Sequence, residues 1–199
     1  MKPESIVYAI GGMCFGILLG WVIATQQMSQ AAAPPVAAAA AAAPAQANAP
    51  RTLDEGRVQA LKTIITSDPK NEDAVIQLAN TYFDAERWDD AIQWYEQALK
   101  INPKNANAST DLGVSYYYTN RPDNALAQFE HSLTLDPKHT KTMLNKGIVL
   151  AFGKENLDAA AAEWQKVVDL APDSPEGQAA RRALEGVAAA HARQGVNNE

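Results

Sequence analysis

A proline step recurs at a nearly constant interval along residues 69–172. The four steps end at Pro69, Pro103, Pro137 and Pro172, which are separated by 34, 34 and 35 residues. Because the residue before a proline is pushed out of the helical region, each step predicts the end of a helix. A fixed period of this length indicates a stack of similar helical units, each packed on its neighbours.

Residues of similar type recur at the same offsets within each period. Residues 72–105 carry Leu78, Ala79, Tyr82, Ala91, Tyr95 and Ala98. Residues 106–139 carry Leu112, Gly113, Tyr116, Ala125, Phe129 and Ser132. Residues 140–174 carry Gly147, Leu150, Ala160, Trp164 and Val167. The pattern predicts two amphipathic helices per unit, with small residues where the backbones come close and large residues filling the space between them.

With this period and these residues, the chain resembles the tetratricopeptide repeat (TPR) family over about residues 70–174. The resemblance implies an all-α fold, a solenoid of helical hairpins with repeats over residues 72–105, 106–139 and 140–174. We expect an N-terminal helix over residues 52–67, where Thr52 and Glu55 have the spacing of a capping box. We also expect a C-terminal capping helix over residues 175–194, with Ser174 as its N-cap. The TPR domain is thus predicted to span residues 51–194.

The third unit departs from the pattern in two ways. Lys146 stands where the other units have Leu78 and Leu112. One extra residue lies between Leu150 and Ala160, which we place in the turn over residues 152–156. The sequence leaves the angle between the two helices of this unit open.

The first 28 residues read as a transmembrane anchor. Residues 6–25 contain no charged side chain, and as a helix at about 1.5 Å per residue they would cross about 30 Å of hydrocarbon. Lys2 is the only basic side chain before Arg51. The positive-inside rule therefore predicts a single-pass protein of the inner or cell membrane, with a cytoplasmic N-terminus and an extracytoplasmic TPR domain. The alternative is a cleaved signal peptide, although the apolar stretch is longer than a typical signal core.

Two further features precede the repeats. Gly12, Gly16 and Gly20 recur every four residues, a spacing that lets two transmembrane helices pack closely and would support a homodimer. The alternative is that glycine is simply common in membrane helices. Residues 29–50 contain thirteen Ala, four Pro and no charge, which predicts a disordered linker.

Composition excludes several classes of function. The formal net charge is −6 without a basic stripe, which argues against a nucleic-acid partner. One Cys and three His argue against a zinc site, and no phosphate-binding loop or nucleophile motif is present. We therefore expect no catalytic residues, no metal and no cofactor, and no enzyme activity.

The family resemblance implies a concave groove, lined by the first helix of each repeat, that would hold a peptide or helix of another protein. Carried over by offset, the first repeat contributes Asp73, Ile76, Asn80, Phe83 and Asp84; the second Asn107, Thr110, Val114, Tyr117 and Tyr118; and the third Lys141, Leu144, Ile148 and Phe152. Phe83, Tyr117 and Tyr118 are the expected aromatic anchors. The alternative for any one of these residues is packing against a neighbouring repeat.

The same resemblance allows one ligand to be assessed. Chaperone-cofactor TPR domains clamp a terminal carboxylate, and the matching places here are Ile76, Asn80, Asp111, Lys141 and Asn145. Only Asn80 and Lys141 fit that set. Because Asp111 would repel a carboxylate, we do not expect this ligand.

These features predict a membrane-anchored TPR adaptor or scaffold that mediates protein–protein interaction in the cell envelope. A narrower version is a role in complex assembly, similar to the periplasmic TPR domains of cytochrome c biogenesis. The alternative is a structural spacer or oligomerisation subunit whose groove has no specific ligand.

Overall fold

The computed structural model describes residues 52–196, which fold into α-helices and one π-helix without any strand. The α-helices are α1 (Glu55–Ser67), α2 (Glu72–Asp84), α3 (Trp88–Ile101), α4 (Ala106–Tyr118), α5 (Pro122–Leu135), α6 (Thr140–Ile148), α7 (Leu157–Leu170) and α8 (Pro175–Val196). The π-helix (Val149–Gly153) continues α6. The all-helical prediction is confirmed for this part of the chain.

The predicted transmembrane helix over residues 1–28, with Gly12, Gly16 and Gly20, lies outside the described residues, as does the linker over residues 29–50. Within residues 52–196, no helix combines the length and the apolar character needed to cross a bilayer.

Side chains that cap the helix starts define where several helices begin. Asn71, Asn105 and Asn156 each accept a hydrogen bond from the backbone N–H three residues later, at 2.9–3.0 Å. Ser174 does the same for α8, with the Gly177 N–H at 3.0 Å, as predicted. Each cap satisfies an N–H that has no partner inside its helix.

The predicted capping box at Thr52 is wrong. The first helix begins at Glu55, and its N-cap is Asp54, whose carboxylate accepts from the Arg57 N–H at 2.8 Å. Aspartate caps as well as threonine does, and starting at Glu55 still buries Val58 and Ile65, so nothing extends the helix back to Thr52.

Helices α2 and α3, α4 and α5, and α6 with α7 form three successive hairpins, with α1 and α8 packed on the two ends of the stack. In the second and third hairpins, a small residue of the first helix meets a large ring of the second helix at the crossing. A β-carbon on Gly113 would lie 2.5 Å from the Phe129 ring, and one on Gly147 would lie 2.3 Å from Nε1 of Trp164. The predicted close approaches are therefore present, and the rings at Tyr95, Phe129 and Trp164 are at most 1% exposed.

The third hairpin accommodates its extra residue in the π-helix. The Lys154 N–H donates to the Val149 carbonyl, five residues earlier, at 3.0 Å, which is the hydrogen bond of a π turn. The turns of the three hairpins share one conformation. Glu86, Asn120 and Glu155 lie at the same place in these turns, with φ values of 59°, 59° and 54°. Because Phe152 still lies 34 residues after Tyr118 and Glu155 lies 35 residues after Asn120, the extra residue falls between Phe152 and Glu155. This position is within the predicted range 152–156, where the π-helix ends. Widening the helix by one residue preserves the turn and the start of α7.

Lys146, which replaces the leucine of the other repeats, forms an ion-pair network. Its Nζ lies 2.6 Å from Glu130 Oε1 and 2.8 Å from Glu163 Oε1, and Lys166 Nζ lies 3.0 Å from the same Glu163 oxygen. Glu163 is only 7% exposed, and its Oε2 has no hydrogen-bond partner among the described residues. Burial by itself raises the pKa of Glu163, but hydrogen bonds from Lys146 and Lys166 outweigh it, so the pKa is lowered. The carboxylate is therefore charged in the folded protein at neutral pH.

We expect Gly147→Ala to lower the free energy of unfolding by about 1–3 kcal/mol, because the new methyl group would overlap the buried Trp164 ring. Gly56→Ala is the matched control: its β-carbon meets only Asp54 Oδ1, at 3.4 Å, and alanine favours the helix by up to about 1 kcal/mol. Urea denaturation followed by circular dichroism measures both. Equal stability of Gly147→Ala and wild type would contradict the close crossing.

We expect Lys146→Leu to destabilise the protein by about 1–3 kcal/mol, because Glu163 stays buried with only Lys166 to compensate its charge. Lys146→Leu/Glu163→Leu should recover most of this loss, since it removes the unpaired carboxylate as well. Urea denaturation of wild type, both single variants and the double variant closes the cycle. If the double variant loses as much free energy of unfolding as the two single variants together, Lys146 and Glu163 do not interact.

The same network predicts a pH dependence. Because the folded-state pKa of Glu163 lies below its ordinary value of 4.5, its contribution is present above pH 4.5 and is lost as the pH falls through the folded-state pKa. Below pH 4.5, the free energy of unfolding of wild type should therefore fall relative to that of Lys146→Leu/Glu163→Leu, which has no carboxylate at this position. A difference that is constant with pH would contradict the assignment.

Candidate functional site

The predicted groove residues divide into buried and accessible positions, and one prediction is wrong. Thr110 is completely buried, and its hydroxyl lies 3.0 Å from Ser132 Oγ and 2.6 Å from Thr142 Oγ1. Because the side chain is short, α5 and α6 close over it and the three hydroxyl groups satisfy one another. Thr110 therefore holds repeats two and three together and cannot reach a ligand.

The aliphatic groove positions are half-buried because they also belong to the core. Ile76, Val114, Leu144 and Ile148 pack against the buried clusters of their own repeats. Asn80 is half-buried as well, and its Oδ1 accepts a hydrogen bond from the Tyr95 hydroxyl at 2.6 Å. These side chains form the floor of the concave surface, where a ligand would touch only part of each.

The amino-terminal ends of the first helices present polar groups. Lys141 Nζ lies 2.6 Å from Asp111 Oδ1, joining α6 to α4. Asn107 Oδ1 lies 3.0 Å from His139 Nε2, and Asp73 is exposed. The lysine that matches the carboxylate clamp is thus already paired with a carboxylate of this chain.

The opposite ends of the first helices meet along one edge of the stack and carry aromatic rings. Asp84, Tyr118 and Phe152 occupy one position in three successive repeats, 34 residues apart. Tyr118 is 55% exposed and Phe152 is 41% exposed. All three were predicted from the sequence, and the structure brings them into one row.

Trp88, the first residue of α3, was missed by the sequence reasoning. Its ring stacks on that of Tyr118, with centroids 4.3 Å apart and an angle of 13°. Phe83 contacts both rings edge-on, at 4.8 Å from Trp88 and 6.2 Å from Tyr118, and Tyr117 adjoins Tyr118 at 5.9 Å. We call Phe83, Trp88, Tyr117, Tyr118 and Phe152 the aromatic edge. The position of Trp88 in the sequence could have indicated this contact. Trp88 directly follows the hairpin turn, where the second helix begins beside the end of the first helix.

A pocket of about 430 Å³ opens beside the row. Its walls are formed by Tyr117, Tyr118, Asn120, Pro122, Phe152 and Gly153. A β-carbon on Gly153 would lie 3.0 Å from Cβ of Pro122 and 3.4 Å from the Tyr117 ring, so the glycine helps to keep the pocket open. Burial, with a smaller contribution from Tyr118, raises the pKa of Tyr117, so its hydroxyl is neutral at physiological pH.

Ion pairs connect the hairpin turns along this edge. Arg121 lies 2.5 Å from Asp89, and Lys154 lies 2.8 Å from Asp123, each pair linking one repeat to the next. The Arg121 guanidinium also lies 5.0 Å from the centre of the Tyr116 ring. Arg121 and Lys154 therefore already form ion pairs with aspartates of this chain.

Among residues 52–196, no three His, Cys, Asp or Glu side chains are grouped so as to hold a metal ion. What the site offers is an accessible aromatic surface with a pocket, set on a stack of helical hairpins.

Such a stack, with its close crossings and extended surface, defines the class of helical-repeat proteins that present binding surfaces to other macromolecules. Two family models match the chain: one described as a TPR repeat at residues 79–120, and one described as a tetratricopeptide repeat at residues 110–175. Residues 79–120 and 110–175 therefore match tetratricopeptide-repeat models, and such repeats are typical of protein–protein interaction adaptors. No curated protein sequence matches the chain.

Several solved structures share the fold of this chain. The crystal structure of MamA is 16% identical, covers 69% of this chain and 88% of its own, and has a TM-score of 0.56. The first TPR domain of Spaghetti (RPAP3) bound to the HSP90 peptide SRMEEVD is 22% identical, with coverage of 63% and 96% and a TM-score of 0.56. The TPR domain of Arabidopsis OM64 is 18% identical, with coverage of 66% and 96% and a TM-score of 0.53.

Proposed function

We propose that this protein is an adaptor whose repeats hold a segment of another protein along the first helices and the aromatic edge. The observation that carries the proposal is the row of Asp84, Tyr118 and Phe152, in which two large rings are exposed beside a pocket. Aromatic side chains in such positions supply much of the binding energy of protein interfaces. No enzymatic function is proposed.

The ligand we propose differs from that of the RPAP3 domain, whose solved structure holds an acidic peptide. Here Asp111 occupies the middle of the corresponding set and is bonded to Lys141. Binding a terminal carboxylate would require breaking that ion pair and would leave Asp111 facing the ligand. We therefore still expect that this chain does not bind the terminal carboxylate that chaperone-cofactor TPR domains bind.

The adaptor we propose is attached to the inner or cell membrane by residues 1–28, with the linker over residues 29–50 and the TPR domain on the extracytoplasmic side. The support is the uncharged stretch over residues 6–25 and the single preceding Lys2. In this arrangement the protein recruits or assembles envelope proteins, and chaperoning of the kind used in cytochrome c biogenesis is one form of that role. The spaced glycines favour the second candidate, an oligomerisation subunit.

In-cell crosslinking with mass spectrometry tests the adaptor. We expect Tyr118→Ala/Phe152→Ala to lose partners that wild type retains, because the variant removes the two exposed rings. The matched control is Ile64→Ala/Leu170→Ala, which removes two apolar side chains that are each 44% exposed elsewhere on the stack. Circular dichroism should show all variants to be helical. Unchanged partners in the first variant would favour the spacer.

Fractionation tests the membrane arrangement. We expect the full-length protein to stay in the membrane pellet after an alkaline wash and a variant lacking residues 1–28 to be released. Gly16→Leu should lower self-association in a membrane two-hybrid assay if the glycines pack, whereas Ile17→Leu serves as the neighbouring control. Release of the full-length protein by the wash would overturn the anchor, and equal association of both variants would overturn the homodimer.

A further inference from the structure

We infer that the aromatic edge recognises a basic, apolar peptide segment, in which an Arg or Lys lies next to aliphatic or aromatic side chains. The inference deepens the proposed function and rests on it, because it names the chemistry of the segment that the adaptor would hold. Its occupant is a second protein of that chemistry.

The charges around the edge favour a cationic ligand. Arg87, Arg121 and Lys154 are each paired with an aspartate, at 2.7, 2.5 and 2.8 Å. By contrast, Asp84, beside Phe83, and Glu155, two residues after Gly153, have no ion-pair partner among the described side chains. The edge therefore keeps an excess of negative charge, in a protein with a formal charge of −6. A cation on the ligand gains from this field, whereas an anion would have to displace an existing pair.

The rings favour the same ligand. Tyr118 is 55% exposed and lies in a stack with Trp88, and stacked electron-rich rings attract Arg and Lys side chains. Phe152, one repeat further along, offers an apolar surface beside a pocket of about 430 Å³ that suits an aliphatic or aromatic side chain.

The repeat gives the ligand its order. Asp84, Tyr118 and Phe152 occupy equivalent positions in three successive repeats. A segment lying along the row meets a carboxylate in the first repeat, an exposed phenol in the second and an apolar pocket in the third. A cationic side chain near the first repeat and an apolar one near the third satisfy both ends of the row. An entirely apolar segment would leave Asp84 without a partner.

The test uses the full-length protein in a mild nonionic detergent and four fluorescein-labelled peptides: GRALRALG, its neutral form GQALQALG, its acidic form GEALEALG, and GRASRASG, which keeps the charge and lacks the leucines. Fluorescence anisotropy is measured at about 0.15 M salt, where the Debye length of about 8 Å suppresses long-range attraction. We expect GRALRALG to bind at least about tenfold more tightly than each of the other three.

Variants locate the binding. Tyr118→Ala should weaken GRALRALG binding by about tenfold, and Asp84→Asn should weaken it while bringing GRALRALG and GQALQALG closer in affinity. Leu170→Ala, which alters a residue of 44% exposure on α7, should leave binding unchanged.

The inference is overturned if GEALEALG or GQALQALG binds as tightly as GRALRALG, or if Tyr118→Ala and Leu170→Ala behave alike. The adaptor proposal still stands after such a result if Tyr118→Ala/Phe152→Ala loses crosslinked partners that wild type retains. If the crosslinked partners do not depend on those rings, the proposed function itself fails.

Discussion

The structure depends on one contact that the second and third hairpins share, in which a small residue of the first helix packs against a large ring of the second helix. Gly113 meets Phe129 and Gly147 meets Trp164 at distances that leave no room for a β-carbon. Because the backbones approach so closely, the rings are almost fully buried and the next hairpin can stack on a regular surface. The order of the row along the aromatic edge follows from this regular stacking.

The third hairpin shows how a repeat tolerates variation that would otherwise disturb the stack. Its extra residue is absorbed as a π-helix, which keeps the following turn in the conformation of the other two. Lys146, at a position where the other repeats carry leucine, is held by Glu130 and the buried Glu163. The ion pair preserves the position of α7 without a leucine, at the cost of burying a carboxylate. The same π-helix brings Phe152 and Gly153 to the aromatic edge, so the irregular repeat completes the pocket.

The accessible surface differs in character from one end of the first helices to the other. At their starts, Asp111 and Lys141 are bonded to each other, so the polar groups satisfy themselves. At their ends, the rings of Tyr118 and Phe152 remain exposed and Asp84 has no ion-pair partner in the described structure. A binding partner therefore gains more at the ends than along the half-buried floor between them, and we accordingly place the proposed function there.

The sequence by itself determined the period, the helical hairpins, the small residues at the crossings and the exposed positions Tyr118 and Phe152. These follow from local rules, because proline steps, helix caps and apolar spacing act within one repeat. Only the tertiary structure decided that Thr110 is sealed between hydroxyl groups of two other helices and that Trp88 stacks on Tyr118. It also decided that the extra residue is accommodated by a π-helix at the end of α6, while the turn keeps the conformation of the other two turns. Each of these outcomes depends on contacts between residues that are distant in sequence. The repeat period predicts which residues occupy equivalent positions, but it does not determine how closely neighbouring helices pack.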